Sequence, residues 1–104
     1  MTTGTTKWAD FAVTAVHYNF WRLHIETLKV QPDNGDSLGD QVVQTRVEIV
    51  RLIEQGHRFV TAYFRDGKWQ RGEDIRVIKV NGTKYLRTDN NSSDNDNLGG
   101  LPEF

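Results

Sequence analysis

The chain of 104 residues has room for one domain, and a hydrophobic content of 37% with three Trp and five Phe indicates a folded core rather than a disordered chain. The lack of cysteine excludes disulfides, thiolate metal ligands and a cysteine nucleophile. The formal net charge is −1, but residues 41–87 carry ten basic and five acidic groups, whereas residues 88–104 carry four acidic groups and no basic one. A basic middle therefore precedes an acidic tail.

Two strands and a loop are predicted in the first forty residues. β-Branched and aromatic residues predict a strand over Phe11–Tyr18 and a second over Arg22–Val30, with the first hairpin turning at Phe20-Trp21. In the second strand the apolar positions slip by one near Glu26-Thr27, which indicates a bulge. The next segment, Gln31–Asp40, contains Pro, Asn-Gly and Gly and is predicted to be a loop.

One helix is predicted, over Arg46–Gln55. Thr45 followed three residues later by Glu48 forms a capping box, in which each side chain accepts a hydrogen bond from an otherwise unpaired backbone N–H. The helix Arg46–Gln55 has a broad apolar face, and Gly56 is its predicted stop. Because the capping signal begins at Thr45, we expect the preceding Val42-Val43 to be extended rather than helical.

The second half of the chain predicts strands joined by tight turns. The predicted strands are Arg58–Phe64, Ile75–Val80 and Thr83–Thr88, with a shorter extended run at Lys68–Gln70. Asp66-Gly67 and Asn81-Gly82 are hairpin dipeptides, and Gly72 indicates a bulge. The order β-β-α-β-β-β predicts a single α+β domain over residues 9–88, an antiparallel sheet of about five strands with the helix on one face. Residues 1–8 are expected to be flexible, and residues 89–104 to form an acidic loop and an apolar plug.

The register of the last hairpin places like charges opposite each other. A two-residue turn at Asn81-Gly82 pairs Arg76 with Arg87 and Lys79 with Lys84. Each such pair is unfavourable by about 0.2–1 kcal/mol unless something anionic lies nearby. The side chains would point into solvent, be neutralised by the acidic tail, or bind an external anion. The candidate groups of the tail are Asp89, Asp94, Asp96 and the terminal carboxylate.

Nucleic acid is the most specific form of the external anion. A binding face would combine two aromatic and four basic side chains, which supply base stacking and backbone contacts. These residues are Trp69, Tyr85, Arg76, Arg87, Lys79 and Lys84. The slightly acidic chain, with a sequence pI near 6.3, argues against a dedicated nucleic-acid binder. The leading hypothesis is therefore a small non-catalytic interaction module with a protein partner, and weak nucleic-acid binding is the alternative.

Other chemistries find little support in the sequence. Asp89–Asp96 resembles a calcium loop, but Asp94 and Gly100 stand where such a loop needs Gly and Glu. His17 and His24 would face each other across the first hairpin, yet two imidazoles without a third ligand make a poor zinc site. The serines fall in loops and no phosphate loop is present, so we expect no enzyme activity, cofactor or metal. Without a long apolar run or a signal peptide, a cytoplasmic protein with no membrane contact is expected.

The last strand and the tail resemble a known family. Gly82–Asp89 (GTKYLRTD) and Asn97–Phe104 (NLGGLPEF) are similar to the end of small prokaryotic proteins catalogued as a domain of unknown function, number thirty-eight ninety-two. Ala9-Asp10, Ile53–Gly56 and Phe59 fit the same frame upstream. The resemblance covers roughly residues 9–104 and implies a compact α+β domain, but no catalytic residue, cofactor or partner.

The apolar residues of the tail need a surface on which to dock. Both faces of the last hairpin carry apolar side chains, so one face of the sheet would lack a cover. We expect part of that cover, opposite the helix, from Leu98, Leu101, Pro102 and Phe104.

Overall fold

The structure, a computed structural model, describes residues 8–19, 24–35, 37–89, 96 and 98–104. The elements of this part of the chain are β1 (Phe11–Tyr18), β2 (Ile25–Pro32), β3 (Val42–Thr45), α1 (Arg46–Glu54), β4 (Phe59–Arg65), β5 (Lys68–Asp74), β6 (Arg76–Val80) and β7 (Thr83–Arg87). Five strands form a sheet in the order β3-β2-β1-β4-β5, and β6 and β7 form a separate two-stranded sheet. The predicted α+β class is confirmed.

The five-stranded sheet is mixed rather than wholly antiparallel. β1 pairs antiparallel with β2 but parallel with β4, through Phe11–Val13 and Phe59–Thr61. The cause is the helix, because α1 carries the chain from β3 across the sheet before β4 begins and so allows β4 to run in the direction of β1. Since the parallel pairing spans three residues, the second half of β1 is left without β4 beside it.

The helix begins and is capped as its sequence predicts. The Thr45 hydroxyl accepts from the backbone N–H of Glu48 at 3.2 Å, and the Glu48 carboxylate accepts from the N–H of Thr45 at 2.8 Å. Gly56 follows with φ +102°, a conformation that glycine adopts without strain. The preceding Val42 and Val43 lie in β3, which confirms that they are extended.

Bulges occur at both positions that the sequence marks. Glu26 is the extra residue between the pairs His17–Thr27 and Tyr18–Ile25, and a further bulge at Thr14 was not predicted. On β5, Gly72 and Glu73 together face Thr61 of β4. The Thr61 hydroxyl accepts from the N–H of Glu73 at 2.9 Å. A Cβ on Gly72 would lie 2.1 Å from that hydroxyl oxygen, so this bulge requires glycine.

The last hairpin has the predicted register. Arg76 pairs with Arg87 and Lys79 with Lys84. Asn81 and Gly82 both have positive φ, 52° and 84°, as a type I′ turn requires. By contrast, the turn predicted at Phe20-Trp21 and the predicted start of the second strand at Arg22 lie outside the described residues.

The tail docks on the core, but not on the face predicted for it. Leu98 and Leu101 are buried in the cluster that contains the helix residues Ile49 and Val50, whereas Pro102 and Phe104 are exposed. The opposite face of the sheet consists of small residues covered by other groups. Its floor is Ala9, Ala12, Val60 and Ala62, and its cover is Trp8, Leu38 and Trp69. The expectation that the tail covers this face is therefore corrected: the buried carboxylate of Asp96, described below, ties the tail to the hairpin side.

The end of the tail adds a short parallel strand to β1. The Val16 N–H donates to the carbonyl of Pro102 at 2.9 Å, and the Phe104 N–H donates to the carbonyl of Val16 at 3.0 Å. The segment occupies the edge that β4 leaves open. In the part of the chain that the structure describes, no helix has the length and apolar character needed to cross a bilayer.

Candidate functional site

The predicted basic face is largely occupied by the protein's own carboxylates. The guanidinium of Arg87 is buried and makes two hydrogen bonds to Asp89, at 2.7 and 3.0 Å. Hydrogen bonding to Asp89 raises the pKa of Arg87, although burial acts in the opposite direction. The Lys84 ammonium lies 2.6 Å from Glu54 of α1. Asp89 and Glu54 thus supply counter-charge to one member of each like-charge pair.

The aromatic residues predicted for that face lie in different places. Tyr85 is 7% exposed, and its ring stacks on His24 at a centroid distance of 5.5 Å. The guanidinium carbon of Arg46 lies 5.6 Å from the same ring. Trp69 belongs to β5 in the other sheet. Of the six residues predicted for this site, Arg76 and Lys79 are the exposed ones on the hairpin.

Asp96, predicted only as one of several candidate counter-charges for the basic hairpin, is a structural centre of the molecule. Its carboxylate is buried and accepts hydrogen bonds from the backbone N–H groups of Ile25 and Leu86, both at 2.7 Å. The Arg46 Nε donates to it at 2.8 Å, and the other end of that guanidinium donates to the carbonyl of Lys84. Asp96 thereby joins β2, β7 and α1. In sequence it is one acidic residue in a run of Asp, Asn and Ser, so no local signal distinguishes it.

The two histidines expected to face each other are apart. His17 pairs with Thr27, and its Nδ1 lies within hydrogen-bonding distance of the carbonyl oxygen of Phe104. The residue opposite His24 is Asn19, whose N–H donates to the His24 carbonyl at 2.8 Å. Among the described residues, no group of three or more His, Asp or Glu is placed to hold a metal ion.

A concave surface lies over the face of small residues. We call it the aromatic groove: a cavity of about 400 Å³ lined chiefly by Trp8, Leu38, Phe64, Lys68 and Trp69. Phe64 and Trp69 are paired across β4 and β5, and their rings meet edge to face at 5.2 Å. The hairpin that carries them turns at Asp66-Gly67, where both residues have positive φ as the dipeptide predicts.

Asp33 holds the opposite wall of the aromatic groove. One of its carboxylate oxygens accepts from the N–H groups of Trp8 and Ala9, at 2.6 and 3.2 Å. The other accepts from the N–H of Gly35 at 2.9 Å, and the backbone of Asp33 bridges to Leu38. Because these three donors engage its oxygens, this buried carboxylate positions Trp8 and the β2–β3 loop rather than contacting a ligand.

A second cavity of about 260 Å³ continues the aromatic groove toward the tail. Phe64 and Trp69 line both cavities, and the second also contacts Thr14 of β1 and Pro102. Arg65 stands at this end, with its guanidinium carbon 5.4 Å from the ring of Tyr63. The two cavities therefore adjoin at Phe64 and Trp69.

The aromatic groove combines aromatic side chains with few charged ones. Among the described residues that line the two cavities, the charged ones are Asp33, Lys68 and Arg65. Asp33 is engaged by backbone donors, and the Arg65 guanidinium lies beside the ring of Tyr63. Aromatic side chains around an apolar floor are typical of sites that bury apolar groups of a partner.

The fold and the site together define a small α+β domain with a half-buried aromatic groove on one sheet face. Comparison with family models identifies it further: residues 12–102 match the model described as Protein of unknown function (DUF3892), so the chain belongs to that family. No curated protein and no solved structure matches the chain.

Proposed function

We propose that the protein is a non-catalytic interaction module that binds an extended, apolar segment of a partner protein along the aromatic groove. The observation that carries this proposal is the exposure of Phe64, 59%, in the middle of two adjoining cavities. A large aromatic side chain left in water beside a second ring and an apolar floor is typical of an interaction surface.

The shape and charge of the surface favour a polypeptide. Two adjoining cavities would receive separate side chains of an extended chain, as grooves that bind peptides do. Lys68 and Arg65 are too few cations to track a phosphate backbone, which needs a basic stripe. On the hairpin, Tyr85 and Arg87 are buried, so the stacking and phosphate contacts of the nucleic-acid alternative are covered. A cytoplasmic location remains part of the proposal.

A titration of the ¹⁵N-labelled full chain separates the two functions. One probe is a pool of synthetic peptides of about ten residues, rich in Leu, Phe and Pro. The other is an oligothymidylate of about ten nucleotides. We expect the peptide pool to shift the indole signals of Trp8 and Trp69, with an affinity that changes little between about 50 and 500 mM salt.

Two matched variants locate the binding. Phe64→Ser removes an exposed aromatic side chain, and Val47→Ser removes a similarly exposed apolar one, 61%, from the helix. We expect Phe64→Ser to weaken peptide binding about tenfold and Val47→Ser to leave it unchanged. Equal effects of the two variants would remove the aromatic groove as the site. Oligothymidylate binding that falls steeply with salt and weakens in Arg76→Ala would favour nucleic acid instead.

A further inference from the structure

The opposite edge of the five-stranded sheet has features of a second interaction surface. β3 is the outermost strand on that side and pairs with β2 alone among the described strands. Successive side chains of a strand point to opposite faces, yet Val42 and Val43 are 49% and 56% exposed. Both faces of this edge therefore present a β-branched apolar side chain to solvent.

The other edge strand shows how this protein protects an edge. β5 carries charged side chains along its length and is interrupted by the bulge at Gly72. Charges and bulges on an edge strand prevent pairing with another chain. β3 and the residue before it, Gln41–Thr45, contain no charge, no proline and no bulge. The contrast indicates that the β3 edge is open to a further strand.

From this contrast we infer that β3 pairs antiparallel with β3 of a second copy, joining two five-stranded sheets about a twofold axis. In such a pairing each residue faces itself or a near neighbour, so a charge on the strand would oppose the same charge. Because β3 carries no charge, no register of this pairing places like charges of the strand opposite each other. The net charge of −1 adds little repulsion between copies.

The self-pairing differs from the aromatic groove in position and in expected strength. The aromatic groove lies on β4, β5, the segment before β1 and the β2–β3 loop, whereas β3 itself lies at the far end of the strand order. Alternate residues of a four-residue strand direct their backbone groups outward, which allows about four hydrogen bonds across the axis. The interface is smaller than that of a stable dimer, so we expect a dissociation constant of about 10–100 µM.

The test uses a substitution that the single copy tolerates. Val43 lies directly opposite Lys29 of β2, so Val43→Glu gains an opposite charge within one molecule. In the paired dimer the same substitution places two carboxylates near the twofold axis. Thr83→Glu is the matched control, since Thr83 is another exposed β-branched strand residue and the charge change is equal. Thermal melting of both variants checks that each is folded.

Sedimentation velocity at protein concentrations from about 5 µM to about 1 mM measures the association of the copies. We expect the apparent mass to rise with concentration from the 12.0 kDa of one copy toward twice that value, for the unmodified chain and for Thr83→Glu. Val43→Glu should stay at the mass of one copy over the whole range. A chain that never associates would overturn the inference, as would a dimer that persists in Val43→Glu. A dimer lost instead in Phe64→Ser would place the contact at the aromatic groove.

Discussion

Replacing Asp96 by alanine should be among the most destabilising single changes in this protein. The substitution leaves the buried N–H groups of Ile25 and Leu86 without their acceptor, and it removes the partner of the Arg46 guanidinium, which is 20% exposed. Each unsatisfied buried donor costs about 1–3 kcal/mol. Loss of one partner from a buried ion pair costs about 3–5 kcal/mol in comparable cases. This cost and the cost of the unsatisfied donors are not additive, because both arise from the same lost carboxylate. We therefore expect a loss of about 3–5 kcal/mol in the free energy of unfolding.

Urea denaturation followed by tryptophan fluorescence measures this loss, and Glu54→Ala is the control. Glu54 also pairs with a cation, Lys84 at 2.6 Å, but both side chains are more than 40% exposed. Exposed pairs of this kind contribute about 0–1 kcal/mol. For a domain of this size, the Asp96 variant should melt more than about 10 °C below the unmodified protein. If Asp96→Ala and Glu54→Ala lose equal stability, the Asp96 carboxylate does not organise the core.

Three further predictions concern the bulge, the tail and the helix cap. Gly72→Ala should cost about 1–3 kcal/mol in urea denaturation, because its Cβ would enter a neighbouring threonine, whereas Gly100→Ala, where a Cβ meets open space, should be neutral. Leu98→Ala should cost about 2–4 kcal/mol if the tail is part of the core, and an unchanged transition would show that it is not. Hydrogen bonds from the backbone and side chain of Thr45 lower the pKa of Glu48, so its stabilising effect is present above the unfolded-state pKa and is lost as the pH falls through the folded-state value. The melting temperatures of the unmodified protein and Glu48→Gln should therefore differ at pH 7 and converge as the pH falls below the folded-state pKa of Glu48.

The features that the sequence predicted correctly are those specified by neighbouring residues. Asn81-Gly82 determines its own turn and hence the register of β6 and β7, because a two-residue loop leaves one pairing. Thr45 and Glu48 likewise satisfy each other within one helical turn. The bulge at Glu26 follows from a shift in the apolar pattern of a single strand.

The features that were missed depend on residues distant in the chain. The parallel pairing of β1 with β4 follows from the path of the helix across the sheet, which no local pattern encodes. The role of Asp96 depends on donors on β2 and β7 that come together only in the folded molecule. In the aromatic groove, Trp69 was predicted as part of the possible nucleic-acid face. Its partners Trp8 and Phe64 gave no signal, because their proximity results from the sheet order and from Asp33.

The parallel strand formed by the tail has a consequence for biosynthesis. The Val16 amide is translated long before its acceptor, the carbonyl of Pro102. While the intervening residues are being added, the second half of β1 has an incomplete hydrogen-bond ladder, and such unpaired edges can attract other chains. Completing this sheet thus requires closure of the long loop between Val16 and Pro102, and contacts between residues so distant in sequence slow folding.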